Sequence, residues 1–418
     1  MGNHDSDVES GLSRRRGRVV FGTAASFVFF QMVLQTFPSV MREGLVVDLS
    51  LNETGFGGLS SSFYYPYILL QIPAGVMVAR FGARSVLISG ALLCTIASFL
   101  FAMSQNAEYA EATRILMGLG AAPTVVCAMT LAAQWFPARL FPLLAALTEM
   151  AGMTGGAIGQ ETLGFIVERA GWRAGMLTCG VVSAILLTLI ILLVRNRTAS
   201  GGAGGEHWPG AAEIKRLLFS GRIIASTVAG GLVACAGVAF GMLWGVSFFQ
   251  EYHGLGLSAA SLSASFYFWG CLPGMLGFAW LCSHVGRPAL LLALGAVGTA
   301  VTMAMILFVL QGQAALSAAM FVLGLMNSSY ALAFSIVKEL APKHLSGVAM
   351  GMTNMMIMGI GGLAFQPLIG VFAHARGEGV PGAAPLSVII AAQVLALAIL
   401  GIGASLQRKP VTSPIMQP

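Results

Sequence analysis

Apolar runs of about 20 residues recur along this chain, separated by short polar interruptions. A run of that length is what one α-helix needs to cross the hydrocarbon core of a bilayer. Charge is scarce: 57% of the residues are apolar and 9% are charged, whereas soluble domains average roughly 45–50% and about 25%. Because no soluble core could hide that much apolar surface, the sequence predicts an all-α membrane protein that crosses a lipid bilayer many times.

The hydropathy predicts twelve transmembrane helices in two groups of six. The longest polar interruption separates the groups and contains a Gly-Gly-Ala-Gly-Gly run. The predicted order is a tail, a six-helix bundle, a linker, a second six-helix bundle and a second tail, at 1–17, 18–194, 195–221, 222–407 and 408–418. The helices are expected near 19–41, 55–78, 85–105, 110–134, 141–167, 173–194, 223–249, 258–283, 288–311, 313–337, 346–374 and 384–406.

The distribution of Lys and Arg predicts the orientation. An even number of helices places both termini on one side. If that side is the cytoplasm, cytoplasmic segments hold 17 of the 22 Lys and Arg residues, the opposite side holds 4, and one lies inside a helix. Because cytoplasmic loops are enriched in basic residues, both termini and the linker are predicted to be cytoplasmic, in a bacterial inner (plasma) membrane. Basic residues spread between spans also argue against nucleic-acid binding.

The second half of the chain repeats the first. Residues 62–84 and 265–287 both open on Ser-Phe-Tyr, run apolar and close on a Gly followed within two residues by Arg. A Gly-Gly-x-x-x-Gln-x-x-x-Gly frame occurs at 155–164 and again at 361–370. The repeat predicts two pseudo-symmetric bundles. Since small residues let helix backbones approach closely in lipid, the frame glycines are expected to pack helices rather than to contact substrate.

Three charged residues fall well inside predicted helices: Arg114, Glu149 and Glu161. Each needs a reason, because a charge at the bilayer centre costs at least about 2.5–3.5 kcal/mol. Arg114 and Glu161 lie at similar depths of neighbouring helices, so they are expected to form an ion pair, to belong to a substrate or proton site, or both. Glu149 has no basic residue on its helical face. It is expected to be protonated at neutral pH, as a proton-coupling group or as a structural acid.

Two motifs resemble those of the major facilitator superfamily, and the resemblance covers nearly the whole chain. Gly75 to Arg84 reads Gly-Val-Met-Val-Ala-Arg-Phe-Gly-Ala-Arg, similar to the family signature between helices 2 and 3, although Ala79 stands where that signature has an acidic residue. Arg114, with the Gly-Leu-Gly-Ala-Ala that begins four residues later, is similar to the family's helix 4 motif. The resemblance implies a secondary transporter that opens a central site to each membrane face in turn.

The resemblance also implies where the site lies. In that family helices 1, 4, 7 and 10 line the cavity, and the basic turn after helix 2 acts as a gate. The expected substrate-binding residues are Arg114, Gln31, Gln35, Trp244, Asn327 and Tyr330, the expected gating residues are Arg80, Gly82 and Arg84, and the expected proton-coupling residues are Glu149 and Glu161.

These features predict a monomeric symporter driven by an ion gradient, since the chain has no nucleotide-binding loop. One cationic residue in the cavity favours an organic anion, an amino acid or a peptide as substrate, with the proton as the suspected coupling ion. The alternatives are efflux of amphipathic compounds or drugs and, from another class, a transporter-like receptor or scaffold without flux. The chain lacks H-E-x-x-H, Gly-x-Ser-x-Gly and metal-ligand spacing, so no enzyme activity, cofactor or metal is expected.

Overall fold

The structure is a computed structural model that describes residues 2–196, 211–342 and 345–407, and every regular element in those ranges is helical. We number the helices α1 to α12 and give one number to segments that continue each other across a short break. The stretch Phe141–Leu193 contains two helices, α5 before Gly171 and α6 after it. The first four helices are α1 (Gly2–Thr36 and Pro38–Asp48), α2 (Glu53–Ser61, Tyr64–Leu69 and Gln71–Phe81), α3 (Ala83–Ala102) and α4 (Ala107–Ala121 and Thr124–Trp135).

The second half follows the same plan after a short linker helix, Ala211–Leu218. Its helices are α7 (Gly221–Cys235, a π-helical segment Ala236–Trp244, and Gly245–His253), α8 (Leu257–Val285), α9 (Pro288–Phe308), α10 (Gln313–Asn327, a 3₁₀ segment Ser328–Ala331, and Leu332–Leu340), α11 (Ser346–Met358, a π-helical segment Gly359–Phe365, and Gln366–Ala375) and α12 (Ala383–Leu386 and Val388–Gln407). The predicted tail at 408–418 and the linker residues 197–210 lie outside the described residues.

Ten helices in the described ranges are long and apolar enough to cross a membrane. The hydropathy predicts twelve, and the difference arises in two places. α2 is divided into segments of 9, 6 and 11 residues, each too short to span alone. α5 and α6 follow each other without a loop in one stretch of 53 residues, which counts as a single apolar segment. At Gly171 that stretch has φ 80° and ψ 167°, a conformation that favours glycine, so its two arms meet at a turn.

A proline explains the break in α1. Pro38 begins the second segment and has no N–H group, so the carbonyl of Leu34 lacks its helical donor. Within a bilayer such a carbonyl must find another partner inside the protein. In this chain the partner comes from α4, and it is Arg114.

The two halves meet where α2 packs on α11 and where α5 packs on α8. Glycines permit this approach: Gly57 of α2 has no room for a Cβ against the backbone of Pro367, and Gly164 of α5 has none against Ser261 of α8. Among the described residues, hydrogen bonds between the halves, such as those of Gln160 with α7 and Gln366 with α2, lie near the middle of the helices or toward the helix ends farther from the linker. We call this the closed side.

Candidate functional site

Glu149 of α5 lies between the two halves with its side chain exposed. Its carboxylate interacts electrostatically with the phenol groups of Tyr67 on α2 and Tyr330 on α10. Gln31 of α1 extends this polar group, because its Nε2 donates to Tyr67 Oη at 3.2 Å. In the described part of the chain no Lys or Arg forms an ion pair with Glu149. The interior therefore offers one exposed carboxyl surrounded by neutral hydrogen-bonding groups from both halves.

Arg114 is fully buried behind this region. Its Nη1 donates to the carbonyl of Leu34 at 2.6 Å and its Nη2 to the carbonyl of Ser60 at 3.2 Å. The guanidinium carbon also lies 4.7 Å and 4.9 Å from the ring centroids of Phe37 and Phe63. The helices α1 and α2 are both interrupted where they face α4. Arg114 therefore joins three helices by donating to backbone carbonyls beside these interruptions.

The expected ion pair between Arg114 and Glu161 is wrong. Glu161 is exposed and shares a face of α5 with the exposed side chains of Ile158 and Phe165, whereas Arg114 turns toward α1 and α2. Counting residues from the helix ends predicts similar depths for the two groups. It could not give the direction in which each helix turns its face, because that direction is set by packing against the other helices.

Gln35 lies one turn beyond Gln31 and is also buried. Its Nε2 donates to Tyr64 Oη at 3.2 Å and approaches the sulfur atoms of Met242 and Met358 at 3.9 Å and 3.6 Å. Two of these three partners belong to the second half. Gln35 thus lies at the boundary between the halves, where it faces polarisable thioether groups. That it lines a substrate cavity stays a prediction.

Two of the predicted site residues of the second half, Asn327 and Trp244, are fully buried. Asn327 is fully buried, donates from Nδ2 to the carbonyl of Val233 at 2.6 Å and accepts from Tyr267 Oη at 2.9 Å. Trp244 is also fully buried and donates from Nε1 to the carbonyl of Gln366 at 3.1 Å. Of the six predicted lining residues, Gln31 and Tyr330 lie close to Glu149. Gln35 and Trp244 lie at the boundary between the halves. Arg114 and Asn327 lie in the packed interiors of their own halves.

The predicted gate forms a turn that is bound to its own half. Gly82 has φ 80° and lies against Asn196, which leaves no room for a Cβ. The Arg84 backbone N–H donates to Asn196 Oδ1 at 2.9 Å, and Arg84 Nη2 donates to the carbonyl of Ile191 at 2.9 Å, near the end of α6. Arg80 is exposed, with its guanidinium 5.5 Å from the ring of Phe81. Gating by these residues stays a prediction.

The sequence reasoning missed a polar contact on the closed side. Arg42, at the end of α1, forms an ion pair with Glu53 at the start of α2 and also donates to the carbonyl of Gly379 in the second half. Both side chains are buried. Their positions at predicted helix ends suggested solvated loop residues, and the one available signal was that opposite charges flank the same short loop. Among the described residues no group of three or more His, Cys, Asp or Glu side chains could hold a metal ion.

Comparison with known proteins supports this architecture. The sequence model of the Major Facilitator Superfamily matches residues 19–366. The chain is 26% identical over 288 residues to the probable L-galactonate transporter of Escherichia coli (64% of this chain, 63% of that protein). It is 28% identical over 168 residues to the probable sulfoacetate transporter SauU of Cupriavidus necator (40% and 38%). Each match spans less than two thirds of the relative's length.

A solved structure shows the same fold at low sequence identity. It is a bacterial homolog of the human lysosomal transporter Spinster, in an inward-facing and unoccupied conformation. The TM-score is 0.76, the identity is 12%, and the alignment covers 95% of this chain and 99% of that one.

Proposed function

The chain belongs to the major facilitator superfamily, and from that premise we propose that it is a gradient-driven secondary transporter that carries a small organic anion together with protons. We count twelve spans, with α2 as one and α5 and α6 as two, arranged as six plus six with both termini in the cytoplasm of a bacterial cell. The closed side then faces outward, and the protein is in an inward-facing state. The Spinster homolog structure is also described as inward-facing.

The single observation that supports proton coupling is the position of Glu149, which is exposed between the halves and has no basic ion-pair partner among the described residues. A substrate anion about 4 Å from an ionised carboxylate would be repelled by about 4 kcal/mol at an effective dielectric constant of 20. Protonating an ordinary Glu at neutral pH costs roughly 3–4 kcal/mol. Because the two energies are of similar size, an anion and a proton are expected to enter the site together.

The substrate class rests on two further features. The curated relatives are named for transport of L-galactonate and sulfoacetate, both anions at neutral pH. Arg114 is a buried cation held by neutral carbonyls and aromatic rings, so its positive charge is not cancelled by a carboxylate in contact. In a low-dielectric interior this field favours an anion nearby. Gln31 and Tyr330 supply neutral groups for the substrate's hydroxyls and carboxylate oxygens.

Transport assays in proteoliposomes test the proposal, with L-galactonate and sulfoacetate as the first probes. The wild-type protein should accumulate substrate when the side of addition is made acidic. Glu149→Gln cannot release a proton, so it should lose uphill accumulation by at least about tenfold and keep counterflow exchange. Arg114→Lys keeps the charge but cannot hold the carbonyls of Leu34 and Ser60 with one planar group. It should therefore weaken substrate binding only as far as α1 and α2 lose their positions. Glu251→Gln, which changes an exposed acid at the far end of α7, is the matched control.

The outcomes separate the alternatives. If Glu149→Gln still accumulates substrate with unchanged pH dependence and Glu161→Gln does not, the proton site is Glu161. Transport of amphipathic cations rather than anions would favour efflux of drugs, for which the methionine sulfur atoms beside Gln35 provide an adaptable apolar surface. Substrate binding without exchange in either direction would favour a receptor or scaffold.

A further inference from the structure

The glutamines of the two repeated frames bind the same segment of α7. Gln160 Nε2 donates to the carbonyl of Gly241 at 3.0 Å and to Ser39 Oγ at 3.1 Å. Gln366 Nε2 donates to the carbonyl of Val238 at 2.8 Å and to Tyr64 Oη at 3.4 Å. Both carbonyls belong to the π-helical segment Ala236–Trp244. One glutamine comes from each half, so each bonds across the boundary between the halves: Gln160 to α7 and Gln366 to α2.

The glycines of the frames follow the same division. The first glycine of each frame packs on its own half: Gly155 meets the backbone of α1 at Phe29, and Gly361 meets Val238 of α7. The later glycines cross to the other half, where none has room for a Cβ. Gly156 and Gly164 meet Phe268 and Ser261 of α8, and Gly362 and Gly370 meet Tyr64 and Glu53 of α2.

The bonding of the two glutamines is incomplete. Gln160 Oε1 and Gln366 Oε1 are both buried, and neither accepts a hydrogen bond. A buried amide oxygen without a donor is destabilising relative to the same oxygen in water. Separation of the halves on the closed side would break the two bonds across the boundary and would also hydrate both oxygens. Breaking the bonds costs free energy, and hydrating the oxygens offsets part of that cost. A contact that must form and break in every transport cycle requires such a balance.

From this geometry we infer that Gln160 and Gln366 are paired positioning residues that hold the closed side shut by binding the π-helical segment of α7 and Tyr64 of α2. π-Helical turns within α-helices often occur at functional sites, and this one presents carbonyls three residues apart to a glutamine from each half. The inference rests on the alternation between two faces in the proposed function. It is independent of proton coupling and of the substrate.

The two glutamines are not equivalent. The bond of Gln160 across the boundary measures 3.0 Å, whereas that of Gln366 to Tyr64 Oη measures 3.4 Å, near the outer limit for a hydrogen bond. Gln160 should therefore contribute more to closure than Gln366.

Accessibility of one introduced cysteine tests this inference, in a background where the partly exposed native Cys282 is replaced by Ser and the other five native cysteines are buried. Ser261 is fully buried against Gly164 on the closed side, so Ser261→Cys should react slowly with a bulky maleimide in purified protein. Gln160→Met removes the donor and keeps the length and volume of the side chain. It should raise the labelling rate by about fivefold, the equivalent of one net hydrogen bond of ~1 kcal/mol. Gln366→Met should raise it by about twofold, and the double variant should exceed both.

Gln393 provides a matched control. It is fully buried, donates to the carbonyl of Leu232 on α7 at 2.9 Å, and also has an Oε1 without a donor. All its contacts lie within the second half, so Gln393→Met should change stability without changing the labelling rate. Equal labelling of the Gln160, Gln366 and wild-type proteins would overturn the inference, as would equal acceleration in the Gln393 variant. A variant that unfolds is replaced by Gln160→Asn, which keeps the amide and shortens its reach. Because the assay needs neither substrate nor a pH gradient, its failure is distinct from failure of the Glu149 proposal.

Discussion

The two halves share their packing and differ in their polar chemistry. Gly118 of α4 lies against the carbonyl of Phe63, and Gly324 of α10 lies in the same way against that of Tyr267. In this register Arg114, four residues before Gly118, corresponds to the buried Met320. The first half carries the charged groups inside its helices, and the corresponding interior of the second half is held by neutral hydrogen bonds around Asn327. A duplicated packing frame can therefore keep its glycines while one copy acquires charge.

The largest difference between the halves should appear when Arg114 is removed. Arg114→Ala leaves the carbonyls of Leu34 and Ser60 without their donor and opens a space between Phe37 and Phe63. We expect a loss of about 3–5 kcal/mol, since each buried unpaired group costs about 1–3 kcal/mol. Thermal unfolding in detergent measures it. A loss below 1 kcal/mol would mean that water replaces the guanidinium and that the charge is not structural.

The neutral counterpart in the second half should be less costly to disrupt. Asn327→Ala removes the donor to Val233 and the acceptor of Tyr267 Oη, for an expected loss of about 1–3 kcal/mol. Tyr267→Phe removes only the second bond. The double variant should lose less than the sum, because the shared hydrogen bond is counted once. Strict additivity in the same unfolding assay would show that the bond between Tyr267 and Asn327 contributes nothing.

The sequence predicted packing better than chemistry, for a physical reason. Apolar runs and small residues act locally. The residues themselves therefore predict the approximate helix positions, the repeat and the packing role of the frame glycines. The partners of Arg114 depend on how three helices face one another and on the broken helical bonding beside Pro38. The contacts of Gln35 with the sulfur atoms of Met242 and Met358 join residues more than 200 positions apart. No local sequence pattern indicates these contacts.

The loops on the closed side also differ between the halves, with a smaller expected effect on stability. Asp48 accepts hydrogen bonds from Trp172 Nε1 at 2.9 Å and from Arg173, which ties the loop after α1 to the turn between α5 and α6. In the second half Glu378 is bound within its own loop, accepting from Arg376 and from the Gly382 N–H, each at 2.8 Å. The hydrogen bonds from Trp172 and Arg173 hold the pKa of Asp48 below its ordinary value of 3.8.

A group with a depressed folded-state pKa stabilises the fold above its unfolded pKa and stops doing so as the pH falls through its folded pKa. Asp48→Asn should therefore lower the melting temperature at pH 7 by about 2 °C, a small effect because the site is solvent-exposed. The difference from wild type should shrink below about pH 4. Glu378→Gln is the comparison, and it should leave the attachment between α1 and α5 unchanged. A deficit for Asp48→Asn that is as large at pH 3 as at pH 7 would assign the effect to packing rather than to charge.

The smallest expected effect concerns Arg114 and Glu161, the two charges of the first half for which the sequence predicts similar depths. Because Arg114 binds Leu34 and Ser60 while Glu161 is exposed on another face, the two should not interact. In a double-mutant cycle of Arg114→Ala and Glu161→Ala, the coupling energy should be zero within about 0.5 kcal/mol. Glu161→Ala alone should not lower the unfolding free energy, since it removes a charge from within a membrane span, where charge is costly. A coupling of 1 kcal/mol or more would mean that the pair forms in another conformation, such as the one open on the opposite side. Repeating the cycle with substrate bound would test whether the pair forms in another conformation. A ligand that favours one conformation would change the coupling only if the contact is specific to that conformation.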